Sequence, residues 1–363
     1  MEVIYYIGAA QSIFAAILLY TKRPKTTADK ILVAWFLIIG GSMLNTIFNR
    51  NFGVKLYEGA SLAFTYGPFI YLYVKYVISN YSKFRLKDCL HFFPAFFFFI
   101  SLYFTNFTRY NYYVNDTLER INLYAITFLL LIIYYNYMII KLLNRHNKNI
   151  KNNLSFSSDK INLNWLRYLS ITFTSTFVLT ISLGIIQTQG NEKYTNPGFI
   201  LTGGFTFIAY LFCYFASKQP QIFNIAKTLE DNIKISTKHE KYERSGLKED
   251  DIQQYLNKII DHTETQKLYL KGDLTIQDLS ESTHIPKHYI TQILNEKLNK
   301  NFYTFINEYR VNSVKETFEN PESEKLTLLA IAYDCGFNSK SSFNNIFKKF
   351  TGVTPSQYKK SLS

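Results

Sequence analysis

The sequence predicts an all-α chain in two parts: a polytopic seven-helix transmembrane domain, followed by an all-α domain with two helix-turn-helix units. Three observations predict it. Seven runs of mainly apolar residues occupy the first 217 positions. The composition then changes abruptly at Lys218-Gln219-Pro220. From Leu274 onward the chain reads as short amphipathic helices with almost no period-two alternation, and one local plan occurs twice.

Each apolar run is about as long as a helix needs to cross a hydrocarbon core about 30 Å thick, which takes roughly 18–20 residues at 1.5 Å per residue. They fall at about 3–20, 31–48, 60–79, 90–107, 121–143, 165–187 and 198–217. The fourth contains Phe96-Phe97-Phe98-Phe99. The first lacks a basic leading region: Glu2 precedes it, whereas Lys22, Arg23 and Lys25 follow it, the reverse of a cleaved secretory signal. It is therefore expected to be a retained helix.

Charge sets the expected orientation, because cytoplasmic loops carry excess Lys and Arg. The connections after the first, third and fifth runs hold 11 such residues, among them Lys22, Arg85 and Lys160, and the intervening connections hold 5. The N-terminus is expected outside and the C-terminal domain in the cytoplasm of a bacterial inner membrane. Through residue 216 there are 19 Lys and Arg against 8 Asp and Glu, and from residue 217 onward 21 against 19. The sequence pI near 9.3 thus mostly reports membrane-loop charge, and any case for nucleic acid rests on motifs.

Lys75, Lys141 and Arg167 lie near cytoplasmic span ends, where long side chains reach the headgroups. No Asp or Glu falls within the runs as bounded above, which weakens a transport reading. A kink is expected at Gly67-Pro68, with close helix approach there. Gln11, Asn45 and Asn136 are expected to face other helices or a cavity. Cys89, Cys213 and Cys335 are far apart, without metal-ligand spacing, and read as reduced and inert. No cofactor, metal or catalytic constellation is indicated, and the chain is read as non-enzymatic.

Residues 218–248 read as a polar cytoplasmic linker, and 249–363 as the second domain. Its first helix is announced by Ile252, Tyr255, Leu256, Ile259 and Ile260 at three- and four-residue spacing. In the first helix-turn-helix, about 275–296, Ile276–Ser280 opens one helix, Thr283-His284-Ile285 makes the turn and Pro286 starts the next helix. A long helix over about 302–320 carries Phe302, Phe305, Ile306, Tyr309, Val314 and Phe318 on one side. In the second unit, about 327–350, Leu329–Cys335 is the supporting helix and Gly336-Phe337-Asn338 the turn, with Gly336 supplying positive φ. Ser339 caps a final helix from Lys340 to about Phe350.

At these residues the chain resembles the AraC/XylS family of bacterial regulators: Ile331-Ala332, Gly336-Phe337, Ser339, Phe343, Phe347-Lys348-Lys349, Gly352, Thr354-Pro355 and Tyr358 match its signature. The first unit matches through Leu279, Ile285, Tyr289, Ile290 and Ile293. His284 stands where the family often has a turn glycine, and Leu294 where Phe is usual. Asn301–Val311, Lys241–Leu247, Gly67-Pro68 with Tyr71, and His91 with Pro94 resemble a membrane-bound subgroup.

The resemblance implies a membrane-anchored regulator binding double-stranded DNA as a homodimer, with its two units in successive major grooves. A recognition helix reads bases from its exposed N-terminal residues while Lys and small hydroxyls hold phosphates. The base-reading candidates are Lys287, His288, Thr291 and Gln292 in the first unit and Lys340, Ser341, Asn344 and Asn345 in the second. Ser339, Lys348 and Lys349 are the phosphate candidates, and residues 340–363 contain five Lys and no acid. Besides DNA, the expected partners are membrane lipid and an unidentified small-molecule or membrane signal. The alternatives are a transporter with a regulatory appendage and a sensor whose helical domain docks a partner protein.

Overall fold

The computed structural model describes residues 3–23, 25–53, 62–79, 83–108, 117–156, 163–189, 197–218 and 249–362. These are helical throughout, with no strand among the described residues and a single isolated antiparallel bridge, between Leu154 and Thr275. The expected linker and the Lys241–Leu247 stretch lie outside the described residues. Chain contacts define two units, residues 1–144 with 163–226, and residues 145–162 with 227–363.

In the first unit the helices are α1 (Val3–Thr21), α2 (Thr27–Phe52), α3 (Tyr66–Ile78), α4 (Phe93–Thr108), α5 (Thr117–Asn153), α6 (Asn164–Gln189) and α7 (Pro197–Lys218), with α5 running on into the second unit. Among the described residues, four helical stretches, Val3–Thr21, Thr27–Asn49, Ile126–Asn153 and Asn164–Leu183, are long and apolar enough to cross a membrane. Helix α1 packs on α2 and α7, and α6 on α7. Their shared interior is aromatic: the Trp35 ring lies 5.2 Å from Phe212, 5.9 Å from Phe173 and 6.4 Å from Tyr66. Ring edges meet ring faces here, the arrangement that aromatic quadrupoles favour. The outward sides of the helices are apolar too, with Phe14, Leu130, Tyr168, Phe207 and others exposed. A helix apolar all round suits a lipid surrounding.

Three details add to what was expected. Helix α2 starts before the apolar run, at Thr27, because Thr26 and Asp29 close a reciprocal capping box whose acid also pairs with Lys22 at 2.9 Å. Lys75 does not merely reach outward: its Nζ lies 2.5 Å from Asp88 Oδ1, and the Tyr76 hydroxyl donates to the other oxygen at 2.8 Å. At the expected Gly67-Pro68 kink the helix is interrupted at Phe64 and Thr65 and resumes at Tyr66. Pro68 then falls in a first turn, where no intrahelical donor is lost. The expected close approach is present: a Cβ on Gly67 would stand 2.8 Å from the Tyr135 ring. Asn136 also faces a neighbouring helix, donating to Ser170 O at 3.1 Å and Thr174 Oγ1 at 2.6 Å.

The second unit contains the end of α5 with residues 154–156, then α8 (Glu249–Thr265), α9 (Ile276–Thr283), α10 (Lys287–Lys297), α11 (Phe302–Glu319), α12 (Leu328–Asp334), α13 (Lys340–Thr351) and α14 (Pro355–Leu362). It has two apolar cores. One gathers Ile252, Ile259, Leu279, Ile290, Ile293 and Leu294 with Phe302, Phe305 and Ile306. The other gathers Ile331, Ala332, Phe337, Phe343 and Phe347 with Val311, Val314 and Phe318. Helix α11 thus gives its first half to one core and its second half to the other. Between them lie Asn307 and Arg310, both buried.

Candidate nucleic-acid interface

Each helix-turn-helix is built by local capping chemistry. Thr275 Oγ1 accepts from the Asp278 amide at 3.2 Å, and Asp278 Oδ2 accepts from the Thr275 amide at 2.7 Å, which starts α9. Burial alone would raise the Asp278 pKa; hydrogen bonds from Lys271 and Thr275 outweigh it and hold the carboxyl below its ordinary value. The first turn is made by His284 itself, in the left-handed region with φ 55° and ψ 28°. His is among the side chains that enter this region more readily than most, so the missing glycine is accommodated. Pro286 then stands as the N-cap, and α10 begins one residue later than expected, at Lys287.

In the second unit Thr327 Oγ1 caps α12 by accepting from the Ala330 amide. Gly336 takes φ 85° in the turn, and Phe337 N–H donates back to Ala332 O at 2.9 Å. Ser339 caps α13 by accepting from the Ser342 amide at 3.2 Å. The three helices α11, α12 and α13 pack on one another around Phe343 and Phe347, whose rings are 5.8 Å apart.

Helix α10 buries Ile290, Ile293 and Leu294, so Leu294 fills the place the family gives to Phe. On its outer side His288 is exposed, while Lys287, Thr291 and Gln292 are half-buried. Tyr289, expected inward, is half-buried and stacks on Tyr255 of α8 at 6.3 Å. Gln292 Nε2 donates to Glu296 at 3.1 Å. Helix α13 brings Lys340, Ser341, Asn345, Lys348 and Lys349 to the surface, with Ser339 and Asn344 half-buried and Phe343, Ile346 and Phe347 inward. Lys348 and Lys349 occupy its last turn, where cations also suit the helix dipole. Each recognition helix therefore gathers its candidates on one outer side.

Sequence reasoning missed what fixes the two units relative to each other. Arg310 is 1% exposed, and its hydrogen bonds go to neutral oxygens, with the Asp273 carboxylate acting on it through space. Its Nε donates to Tyr269 O at 2.8 Å, and its Nη2 to Lys271 O at 2.8 Å. The same guanidinium reaches Ser155, with Nη1 2.9 Å from the carbonyl oxygen and Nη2 3.0 Å from Oγ. Burial lowers the Arg310 pKa to about 10, which leaves it charged near neutrality. Across the same seam Asn338, in the second turn, donates to Gly272 O at 2.9 Å. The only sequence trace of this arrangement is a charged residue on the apolar side of α11.

Comparison with known proteins agrees with this geometry. The family described as "Helix-turn-helix domain" matches residues 279–361. An "uncharacterized HTH-type transcriptional regulator" of Staphylococcus aureus strain COL is 31% identical over 104 residues, 29% of this chain and 13% of that protein. The "melibiose operon regulatory protein" of Escherichia coli K12 is 30% identical over 87 residues, 24% of this chain and 28% of that protein. The chain thus spans well under a third of the length of these curated relatives. No solved structure matches. Residues 279–361 thus match a helix-turn-helix domain of a kind also present in DNA-binding transcription regulators.

Proposed function

We propose that the chain is a membrane-anchored, sequence-specific regulator of transcription that couples an unidentified membrane or extracellular signal to gene expression. The observation that carries this reading is the pair of helix-turn-helix units, each with a polar outer recognition side, fixed on one continuous helix. Such a scaffold suits two successive major grooves on one face of a duplex, as expected of proteins with two reading helices.

Residues 1–217 serve as a seven-helix membrane domain, 218–248 as a linker and 249–363 as the DNA-binding domain. The loop charges support an outside N-terminus and a cytoplasmic C-terminal domain. Base contacts come from Lys287, His288, Thr291, Gln292, Lys340, Ser341, Asn344 and Asn345. Gln and Asn suit adenine and Lys suits guanine, each good contact contributing roughly 1–3 kcal/mol of discrimination. Ser339, Lys348 and Lys349 hold phosphates, and a homodimer binds repeated sites. A signal acts by favouring one of at least two states of the DNA-bound assembly, which requires different affinities for them.

Chromatin immunoprecipitation of the intact protein from sealed membranes tests this directly. The reading expects defined promoter fragments to be recovered with the membrane fraction. Recovery of DNA at random, or of none, would overturn it.

A further inference from the structure

The seat that holds Ser155 is more elaborate than a loop contact needs. The last residues of α5, from Arg145, and residues 154–156 after it fall in the same compact unit as the helix-turn-helix helices. Leu154 and Ser155 are both fully buried there, at 1% and 0% exposure. The Ser155 amide donates to Leu274 O at 3.1 Å and its hydroxyl to the same oxygen at 2.7 Å. Its carbonyl accepts from Asn307 Nδ2 at 2.8 Å and from Arg310 Nη1 at 2.9 Å. Every polar group of Ser155 is thereby used, and two of its three partners, Asn307 and Arg310, are the side chains between the two cores.

A buried guanidinium whose hydrogen bonds all go to neutral oxygens depends on each oxygen it can reach, since every lost acceptor leaves a desolvated donor. Arg310 has five N–H donors in a fixed fork, and Ser155 supplies two of its acceptors. The others come from Tyr269, Lys271 and Gly272, the loop entering the first helix-turn-helix, and from Asn307 on its own helix. That same loop receives Asn338 from the second turn. Withdrawing Ser155 would therefore disturb a polar joint at which α11, the loop into the first unit and the second turn meet.

We propose that Leu154-Ser155 is a latch through which the connection after α5 controls the mutual setting of the two helix-turn-helix units. Seated, it completes the Arg310 joint and holds the two recognition helices in their DNA-reading relation. Unseated, it leaves each core folded but frees the joint between them. Helix α5 ends at Asn153, immediately before the latch. The signalling role of the latch rests on the membrane-regulator reading; its seating does not.

Leu154 and Thr275 form a non-hydrogen-bonded antiparallel pair, whose Cα atoms are typically about 4.5 Å apart and so within disulfide range. In the full-length chain in lipid nanodiscs, with Cys89 and Cys213 replaced by Ser, the pair Leu154→Cys and Thr275→Cys is expected to close under oxidised glutathione. The closed form should bind a duplex selected by the wild-type chain within about twofold of wild type. Leu154→Asp should weaken that binding at least tenfold, and Ser155→Ala, which removes only hydroxyl contacts, about threefold. A pair that stays open while both thiols react with maleimide would overturn the seating. Unchanged DNA affinity in both Leu154→Asp and Ser155→Ala would overturn the coupling, while leaving DNA binding itself intact.

Discussion

A Cβ placed on Gly336 would lie 2.4 Å from the carbonyl oxygen of Tyr269, and the same glycine holds φ at 85°. Two independent penalties therefore fall on Gly336→Ala: left-handed strain of about 1–3 kcal/mol and an overpacking cost of similar size against backbone that cannot rotate away. Gly352 shares the backbone strain, with φ 81°, but a Cβ there meets nothing within 4 Å. In thermal or urea unfolding of the full chain, Gly336→Ala should cost roughly 2–5 kcal/mol and Gly352→Asn under about 1 kcal/mol. Equal costs would mean that the approach of Gly336 to Tyr269 contributes nothing.

Lys348 is an exposed cation at the end of α13. Lys348→Ala should weaken binding to all duplexes alike, and the slope of log affinity against log salt should become shallower by about 0.9, the loss of one phosphate contact. A change confined to one base position would contradict the phosphate role.

Asn345 is exposed on the outer side of the same helix, one position before the inward Ile346. Asn345→Ala should remove roughly 1–3 kcal/mol of preference at one base pair and leave the salt slope nearly unchanged. Unaltered selectivity across all single-base variants of the site would count against a reading role.

Asp278 is held below its ordinary pKa in the capping box of the first unit. A carboxyl depressed on folding contributes stability that is present above its unfolded pKa, about 3.9, and is lost as pH falls through the lower folded value. Asp278→Asn should accordingly cost about 1 kcal/mol near neutrality and progressively less below about pH 4. A cost independent of pH across that window would show that the charge of Asp278 is not what caps α9.

The local parts of this domain were legible because they are written in neighbouring residues. The turn at Gly336 and the Ser339 cap each depend on residues within a few positions of one another. The Arg310–Ser155 contact joins residues 155 positions apart and leaves no periodic mark. Lys75 with Asp88 was hidden similarly, since a cation near a span end has an ordinary explanation without a partner. The Gly67-Pro68 pair signalled an irregularity, but the same dipeptide can bend a helix from within or open one, and the break at Phe64 and Thr65 is not written in the pair itself.

The central claim is that one chain carries two DNA-reading units in fixed relation. Selection of bound duplexes from a randomised library by the intact chain in lipid nanodiscs tests it most directly. The enriched duplexes should share two short boxes with centres about 10–10.5 base pairs apart, one helical turn. Recovery of sequences with no common element, or of one box with no fixed neighbour, would contradict it.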